Sequence, residues 1–332
     1  MPAAIFVTGA TGFLGSNLVK RLYKKKHKIT IFATKNSFHK SLCRLKIKRE
    51  EGDIRNYNSV LKAMKGSSYV YHLAGLTSDD PEKKDELFAV NVLGTENVMR
   101  ACLRLGVKKV VHVSSTSVLG VSKDEKIKLT EECYPDLSDT LYGYTKRLGE
   151  DKVKRFVAKG LNAVIVNPCS VLGAGEVVQN MLSLIRSISE RKIKLTFPGG
   201  TSFVAVDDVV SGMLLAMRKG RKGQRYILAA EYLRFRDRYN KIAEILKKPT
   251  IKFELPRMSF YPMYFLAVIM QKLKKNPSIT PAMIKWAYGF RNYDCTKAGE
   301  ELGWSPKTTF EQAIVQAINY YRKNNMLSVG IA

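Results

Sequence analysis

Residues 8–15 read Thr8-Gly9-Ala10-Thr11-Gly12-Phe13-Leu14-Gly15 and place three glycines at G-x-x-G-x-x-G spacing. The apolar run at 3–7 before them suits one buried strand, and residues 16–22 repeat apolar side chains at helical spacing. A strand, a glycine turn and a helix form the context of a phosphate-binding loop. Glycine lets a pyrophosphate approach the backbone, and the helix N-terminus offers N–H groups. We therefore favour a dinucleotide site over a plain tight turn.

The composition is that of a globular protein. The chain has 332 residues, 45% of them hydrophobic, which suits one large α/β domain with an elaboration or two domains. The five cysteines form no C-x-x-C pair and no secretion signal is found, so we expect a reduced, cytoplasmic protein without a structural metal. The longest apolar run, 260–270, is shorter than the ~20 residues of a membrane span. We favour a buried or pocket-lining helix there over an interfacial segment.

The charge is strongly basic. Lys and Arg number 56 against 29 Asp and Glu, a net charge of +27, and the stretch from Lys20 to Arg49 holds twelve cations before the first carboxylate, Glu50. Such a field attracts phosphorylated cofactors, anionic membrane surfaces or nucleic acid. We expect no specific nucleic-acid partner, because no helix-turn-helix, zinc-finger or RNA-binding aromatic motif is present. A peripheral contact with an anionic membrane and a merely solvated lysine-rich surface both stay open.

Strand and helix patterns alternate from the first residues to about residue 170. This alternation predicts an α/β fold with a doubly wound parallel sheet between two helical layers. We assign 1–170 to a dinucleotide-binding domain, to which 200–230 contributes further sheet and helix. Residues 171–200 and 231–325 are assigned to a smaller, mainly helical substrate-binding region. The last strand is predicted at 225–228.

The end of the second predicted strand, 28–33, indicates which dinucleotide binds. An NAD-preferring site usually places Asp or Glu there to bond the adenosine ribose. This chain has Thr34 and Lys35 instead. Because no Asp or Glu stands here to repel a ribose phosphate, and because Lys35 can pair with that phosphate, NADP is favoured over NAD. The alternative is that Lys35 is one more surface lysine.

Two further strand ends supply candidate cofactor contacts. After the third strand, near 45–49, Asp53 is placed to accept from the adenine amino group and Ile54 to pack against the ring. The alternative is that Asp53 caps the next helix. The fourth strand, within 69–75, ends in residues small enough for the chain to lie beside a cofactor. Those residues are Leu73, Ala74 and Gly75.

The catalytic candidates follow the fifth predicted strand, 108–113. Ser115 lies in a hydroxyl cluster where that strand ends, and Tyr142 and Lys146 are four residues apart on one helix face. A tyrosine with a pKa of ~10 is a poor base at neutral pH. A lysine ammonium one turn away is expected to lower that pKa. Tyr142 would then exchange the proton and Ser115 would hold the substrate oxygen.

Taken together, these motifs resemble the extended short-chain dehydrogenase/reductases, also called the NAD-dependent epimerase/dehydratase family. The resemblance covers about residues 3–325, and it implies a Rossmann-type fold. It is carried by Thr8-Gly9-Ala10-Thr11-Gly12-Phe13-Leu14-Gly15, Gly52-Asp53-Ile54, His72-Leu73-Ala74-Gly75, Asn91-Val92-Leu93-Gly94-Thr95, Ser114-Ser115, Tyr142 with Lys146, Val206-Asp207-Asp208-Val209 and Glu301-Leu302-Gly303-Trp304-Ser305-Pro306.

The resemblance also implies roles for individual residues. It places the catalytic hydroxyl on Ser115, with Tyr142 and Lys146 as its partners, and Asn91 near the site in a proton relay. It implies a homodimer formed through the helices that carry Asn91 and Tyr142. The expected cofactor contacts are Gly9, Thr11, Gly12, Phe13, Leu14, Gly15, Thr34, Lys35, Asp53, Ile54, Leu73, Ala74, Gly75, Tyr142, Lys146, Pro168, Ser170 and Val171.

Within the family the chain is most similar to the dihydroflavonol-reductase-like, 3β-hydroxysteroid-dehydrogenase-like and hopanoid-associated sugar epimerase branches. Nucleotide-sugar epimerases often carry Arg-Asp-Phe where this chain has Thr201-Ser202-Phe203, so no arginine is expected to meet a sugar diphosphate. We therefore predict an NAD(P)(H)-dependent oxidoreductase that interconverts a carbonyl and a secondary alcohol on a small, apolar substrate. The alternatives are a sugar epimerase or dehydratase with tightly bound NAD(P), and a non-enzymatic NADP-binding scaffold at a membrane surface.

Overall fold

A computed structural model describes residues 3–37, 40–135, 140–175, 179–273 and 279–327. The strands are β1 Ala4–Thr8, β2 Lys28–Ala33, β3 Lys48–Glu51, β4 Tyr69–His72, β5 Lys109–Val113, β6 Ala163–Pro168, β7 Ser170–Leu172, β8 Leu195–Thr196, β9 Gly200–Ala205, β10 Arg225–Leu228, β11 Tyr232–Arg234, β12 Phe253–Glu254 and β13 Phe290–Arg291. The helices are α1 Phe13–Lys24, α2 Lys40–Cys43, α3 Tyr57–Met64, α4 Lys84–Leu87, α5 Thr95–Arg104, α6 Leu141–Ala158, α7 Gln179–Ser189, α8 Val206–Lys219, α9 Phe235–Ile245, α10 Phe260–Leu273, α11 Pro281–Tyr288 and α12 Phe310–Lys323.

The main sheet has seven strands in the order β10-β6-β5-β4-β1-β2-β3, and every pairing is parallel. All five residues of β5 are buried, as expected for a strand covered on both faces. The strand order reverses between β1 and β4, and ligands bind at such a switch point, beyond the carboxyl ends of the strands. The predicted doubly wound α/β fold is confirmed, and its switch point lies at the glycine turn after β1.

Helices cover both faces of this sheet. On one face α1 packs through Leu18 and α8 through Met213, and both side chains are fully buried. On the other face α3, α5 and α6 contribute Val60, Val98 and Val153 to a second apolar layer. Each apolar helix face is buried against strands that are apolar on both sides, so the sheet forms the centre of the molecule.

The C-terminal region contains more strand than the sequence indicates. Here β9 pairs in parallel with β7 and β13 and antiparallel with β11, while β8 pairs with β12. The prediction that 225–228 holds the last strand is wrong, because β11, β12 and β13 follow it. These strands are only two or three residues long and are stabilised by distant partners, so they leave little periodic signal. Residues 200–230 were predicted to add to the main sheet and its helices. Helix α8 packs against that sheet and β10 lies in it, whereas β9 lies in the second sheet.

Helix α10 differs from its prediction. Only Ala267 of its fourteen residues is buried, so the expected buried helix is instead an exposed one. Its apolar side chains reach solvent because the helix lies at the rim of the C-terminal region, 231–325, here called the cap, and contacts mainly α11. In the described part of the chain, no helix is long and apolar enough to cross a membrane.

Candidate active site

The three glycines after β1 have different physical roles. Gly9 has a φ of +67°, and a Cβ there would lie 2.5 Å from the backbone of Leu73 and Ala74. A Cβ on Gly15 would lie 2.1 Å from the carbonyl oxygen of Gly9, so α1 packs directly on the turn. A Cβ on Gly12 would meet only that oxygen, at 3.5 Å. The fold therefore needs Gly9 and Gly15, whereas Gly12 keeps space open above the turn for a ligand.

The N-terminus of α1 faces that open space. Gly12 is its N-cap, no side chain caps the helix, and its first turn holds no acidic residue. The N–H groups and the positive end of the helix dipole therefore favour an anion. Phe13 and Leu14 begin the helix and are partly buried, and a Cβ on Gly175 would lie 2.6 Å from the Phe13 ring. The turn thus fits the pyrophosphate of a dinucleotide.

A groove of about 370 Å³ runs from this turn across the ends of β2 and β4. Lys35 is exposed just beyond β2, next to the lining residue Thr34. The lining residues are Gly9, Thr11, Gly12, Phe32, Ala33, Thr34, Ser37, Gly52, Asp53, Ile54, Arg55, Leu73, Ala74, Gly75, Glu86 and Val90. Nine of the eighteen predicted cofactor contacts therefore lie along one groove.

Asp53 faces this groove and is held by Arg55. The Arg55 guanidinium donates to the Asp53 carboxylate at 2.6 Å, and this hydrogen bond lowers the pKa of Asp53 despite partial burial. Asp53 does not cap α3, because Asn56 is the N-cap and accepts from the N–H of Ser59 at 3.0 Å. Ile54 is buried beside it, and a Cβ on Gly94 would lie 2.5 Å from the Ile54 side chain.

A second cavity of about 240 Å³ contains the predicted catalytic hydroxyls. Tyr142 and Ser115 both line it, and the Ser115 and Thr77 hydroxyls act on the Tyr142 phenol by lowering its pKa. Ser115 follows β5 and also accepts from the N–H of Ser117 at 3.1 Å, which fixes its rotamer. The lining residues are Asp79, Ser115, Thr116, Ser117, Gly120, Thr140, Tyr142, Cys169, Ser170, Thr201, Trp286, Arg291 and Tyr293. The structure thus brings together Ser115 and Tyr142, which are far apart in sequence.

The start of α6 fixes the position of Tyr142. Thr140 is the N-cap and accepts from the N–H of Gly143 at 3.0 Å, while the Asp79 carboxylate accepts from the N–H of Tyr142 at 3.0 Å. Two side chains therefore satisfy N–H groups of the first turn, which has no earlier helical partner. Thr77 and Asp79 lie in the loop after β4, and no sequence motif marked them.

Lys146 is buried one turn further along α6. Its Nζ donates to the carbonyl oxygen of Val113 at 2.8 Å. Burial lowers the pKa of Lys146 to about 8, although the charge of Glu150 acts in the opposite direction. A Cβ on Gly75 would lie 3.6 Å from this Nζ, so the ammonium lies at the junction between the groove and the cavity.

The pKa of Tyr142 differs from the sequence expectation. Burial raises it above its ordinary value, and the hydrogen bonds from Thr77 and Ser115 lower it only in part. The expected lowering by Lys146 is therefore wrong for the protein by itself, because the lysine is directed to Val113 and desolvation of the phenol dominates. Tyr142 is held as a neutral phenol, the form that donates a proton.

Asn91 lies on a π-helical segment, Phe88–Gly94, between α4 and α5. Its Oδ1 accepts from the N–H of Leu76 at 2.8 Å, and its Nδ2 donates to the Leu76 carbonyl and to the Thr145 hydroxyl, each at 3.0 Å. These contacts fasten the loop after β4 to α6. Because π-bulges frequently occur at functional sites, the irregular helix here is consistent with a positioning role.

The remaining predicted residues lie where the main sheet meets the cap. Pro168 ends β6, Ser170 and Val171 begin β7, and of these three Ser170 lines the cavity. Arg291 was missed by the sequence argument. It pairs in register with Thr201 across β13 and β9, so an arginine does face the cavity from a second strand. The segment 201–203 itself holds no arginine, and Arg291 of the neighbouring strand lies beside it.

Comparisons with known proteins agree with this geometry. A family model described as the NAD dependent epimerase/dehydratase family matches residues 5–229. Sterol demethylase protein B of Methylococcus capsulatus is 30% identical over 330 residues, which cover 97% of this chain and 99% of that protein. The sterol-4-alpha-carboxylate 3-dehydrogenase, decarboxylating, of Mus musculus is 27% identical over 96% of this chain and 91% of its own length.

A solved structure shows the same fold. The dTDP-glucose 4,6-dehydratase DesIV of Streptomyces venezuelae, solved with NAD bound, superposes with a TM-score of 0.78 at 18% identity, covering 99% of both chains. The family model spans more than half of this chain, and its range includes the glycine turn, Ser115, Tyr142 and Lys146. The chain is an enzyme that belongs to the NAD-dependent epimerase/dehydratase family, the extended short-chain dehydrogenase/reductases.

Proposed function

We propose that the protein is an NADP-preferring oxidoreductase that interconverts a ketone and a secondary alcohol on an apolar, polycyclic substrate. The observation that carries this proposal is that Tyr142 and Ser115 line one cavity beside the dinucleotide groove. Lys146 lies between these two spaces. The three groups therefore meet where a substrate oxygen and a nicotinamide would come together.

The chain's own residues supply binding and proton transfer. Ser115 donates to the substrate oxygen and holds it at hydrogen-bond distance from the Tyr142 phenol. In the reductive direction Tyr142 gives its proton to the new alkoxide, and in the oxidative direction it takes the alcohol proton. Lys146 holds the ribose and stabilises the phenolate once it has formed. A bound nicotinamide dinucleotide supplies the hydride donor or acceptor.

The preference for NADP rests on the end of β2. No carboxylate follows this strand before Glu50, and exposed Lys35 can pair with a ribose phosphate. Lys35→Ala should weaken NADPH binding by about tenfold, the loss of one charge-assisted bond, and leave NADH binding unchanged. Lys28→Ala at the opposite end of β2 is the matched control. Fluorescence titration measures both affinities, and equal binding of the two cofactors by the unaltered protein would contradict this preference.

The substrate class rests on the cavity and on the relatives. Trp286 and Tyr293 give the cavity aromatic walls, and Arg291, a residue that is 9% exposed, adds a guanidinium. Two relatives carry sterol names, and one of them is named a carboxylate dehydrogenase, decarboxylating. Arg291 is suited to a substrate carboxylate. If the alcohol lies β to a carboxylate, its oxidation by NADP⁺ gives a β-keto acid. The bond between the carboxylate carbon and its neighbour then breaks and CO₂ leaves. The electron pair of that bond passes to the ketone as an enolate, which takes a proton.

Turnover of a steroid panel tests the proposal. Purified protein is assayed with NADP⁺ on 3β-hydroxysteroids with and without a 4-carboxylate, and with NADPH on the matching ketones. Tyr142→Phe should lower turnover by about 10²–10⁴-fold without changing NADPH binding. Tyr144→Phe, two residues along the same helix and packed on Phe88, is the control. Full turnover by Tyr142→Phe would sink the proposed mechanism.

A sugar epimerase or dehydratase is the second candidate. Arg291 favours it, since a guanidinium beside Thr201 can also meet a diphosphate. Such an enzyme regenerates its dinucleotide in every cycle and need not release it. Nucleotide that copurifies with the protein and does not exchange with added NADPH, together with turnover of nucleotide sugars, would replace the oxidoreductase proposal with this one.

The homodimer expected from the family is also part of the proposal. Leu93 on the π-helical segment and Leu103 on α5 are exposed apolar residues on the helices implicated by the resemblance. A dimer would bury both. Sedimentation velocity should show a dimer, and Leu103→Glu should shift it to monomer. A monomer at all concentrations for the unaltered chain would exclude this interface.

A further inference from the structure

The cap carries a row of exposed apolar side chains, here named the α10 stripe. It consists of Met258, Tyr261, Phe265, Ile269 and Leu273. Their spacing of three or four residues places them on one face of α10 and of the turn before it. Phe265 is 68% exposed and Leu273 is 79% exposed. Soluble proteins rarely leave such a contiguous patch uncovered unless it meets a partner or a membrane.

The opposite face of α10 is firmly seated. Ala267 is fully buried, and Phe260 stacks on Tyr264 at 5.5 Å and meets Tyr288 of α11 edge to face at 5.5 Å. The orientation of the helix is therefore fixed by packing. The stripe points outward because the inner face is already filled, so packing within the described part of the chain leaves Met258, Phe265 and Leu273 mostly exposed.

The segment that contains the stripe is cationic in sequence. The residues between Glu254 and Asp294 include no carboxylate and six cations, Arg257, Lys272, Lys274, Lys275, Lys285 and Arg291. Among the described ones, Arg257, Lys272 and Lys285 are exposed, whereas Arg291 lines the cavity. A recess of about 430 Å³ adjoins the start of the stripe and is lined by Arg234, Arg236, Lys252 and Arg257, with Glu254 as its acid. Arg234 is paired with Glu125. Arg236 lies 3.9 Å from Glu254 and 4.0 Å from Asp237. Lys252 and Arg257 add two further positive charges, so the recess is suited to an anionic headgroup.

We propose that the α10 stripe and the cationic rim formed by Arg257, Lys272 and Lys285 are a docking surface for an anionic lipid bilayer. Fourteen helical residues span about 21 Å, which suits a helix lying in the plane of the interface with one face among the acyl chains. A second copy of the chain is disfavoured as the occupant. Symmetric contact would bring two rims of the same positive charge together, whereas anionic lipids complement them.

The docking surface lies beside the cavity. Trp286 lines that cavity and belongs to α11, the helix against which α10 packs, and it is 39% exposed. A substrate dissolved in the bilayer would therefore meet the cavity wall without crossing water. Vesicle binding needs no turnover, so it is measured independently of the proposed reaction.

Co-sedimentation with vesicles tests this surface. The full chain is mixed with phosphatidylcholine vesicles with or without phosphatidylglycerol. We expect binding only to the anionic vesicles, weaker at high salt, and at least about tenfold weaker for the double variant Phe265→Ser, Leu273→Ser. Val315→Ser, an exposed apolar residue on α12 in the same chain, is the matched control and should bind like the unaltered protein.

Fluorescence quenching gives a second measurement. In Phe265→Trp the new indole should be quenched by brominated phospholipids, whereas in Val315→Trp it should not. Equal vesicle binding by the double variant and the control, or equal quenching at both positions, would overturn the proposal. The proposal would also be overturned if the unaltered chain did not bind vesicles but formed a concentration-dependent dimer that the double variant abolished. That result would assign the stripe to a second copy.

Discussion

Helices α6 and α10 reverse the usual relation between composition and burial. Helix α6 is rich in charge, yet it buries Lys146, Glu150 and five other residues against the sheet. Helix α10 is almost wholly apolar and buries only Ala267. The first lies across the main sheet, where a cofactor and substrate would meet, and the second lies at the rim of the cap.

The two helices differ in the contacts that their unusual side chains make within the fold. Buried polar groups are retained in α6 because each has a partner: Lys146 with Val113, and Glu150 with Asn167 at 2.6 Å and Arg225 at 3.1 Å. Exposed apolar groups in α10 contribute nothing to the folded core. The buried charged side chains of α6 and the exposed apolar side chains of α10 are not explained by folding alone. Both indicate contacts with another molecule.

The largest effect is expected at Lys146. Lys146→Met keeps the volume of the side chain but removes the ammonium, so turnover should fall by about 10³-fold while the fold is retained. Steady-state kinetics and circular dichroism measure the two quantities. Lys152→Met, on a more exposed part of α6 where the lysine pairs with Glu96, is the control. A variant that unfolds would instead show that Lys146 is chiefly structural.

The same substitution has a pH signature. The pKa of Lys146 is about 8 in the folded protein, below the ordinary 10.5, because of burial. Between these values the unfolded chain binds more protons than the folded chain, so the free energy of unfolding rises with pH across this window. Lys146→Met should remove that rise. Urea titrations at several pH values test it, and identical slopes for the two proteins would refute the buried-ammonium account.

The next effect is on stability at Glu150. Glu150→Ala leaves Arg225 buried without this carboxylate, and breaking a buried pair in this way costs about 3–5 kcal/mol. Chemical denaturation measures the loss. Asp151→Ala, an adjacent and more exposed carboxylate, should cost far less. Similar losses of unfolding free energy in both variants would mean that burial does not determine how much a carboxylate of α6 contributes to stability.

The smallest effect is expected in α10. Phe265→Ser removes a large ring that is mostly exposed, so the free energy of unfolding should change by less than about 0.5 kcal/mol. The matched substitution Phe156→Ser in the buried face of α6 should cost several times more. A large loss at Phe265 would show that the stripe is covered within the folded protein, and the comparison between the two helices would fail.

Much of the main sheet was predictable because its signals are local. Residues 28–33 are rich in β-branched side chains, and they form β2 with the predicted bounds. The third strand was misplaced by a few residues, since β3 is short, polar and at the sheet edge. The cap strands β11, β12 and β13 were missed because pairings such as Arg291 with Thr201 join segments about ninety residues apart.

Local sequence was enough to predict the glycine turn, most of the order of strands and helices, and the shared helix face of Tyr142 and Lys146, since these depend on neighbouring residues and on the fixed geometry of helix and strand. Which groups share the cavity and which face solvent follows from the packing of distant segments. This packing brought Arg291, Thr77 and Asp79 to the site, raised the pKa of Tyr142 through burial, and turned the apolar face of α10 outward. Burial and long-range contact depend on the whole packed chain, and no local pattern encodes them.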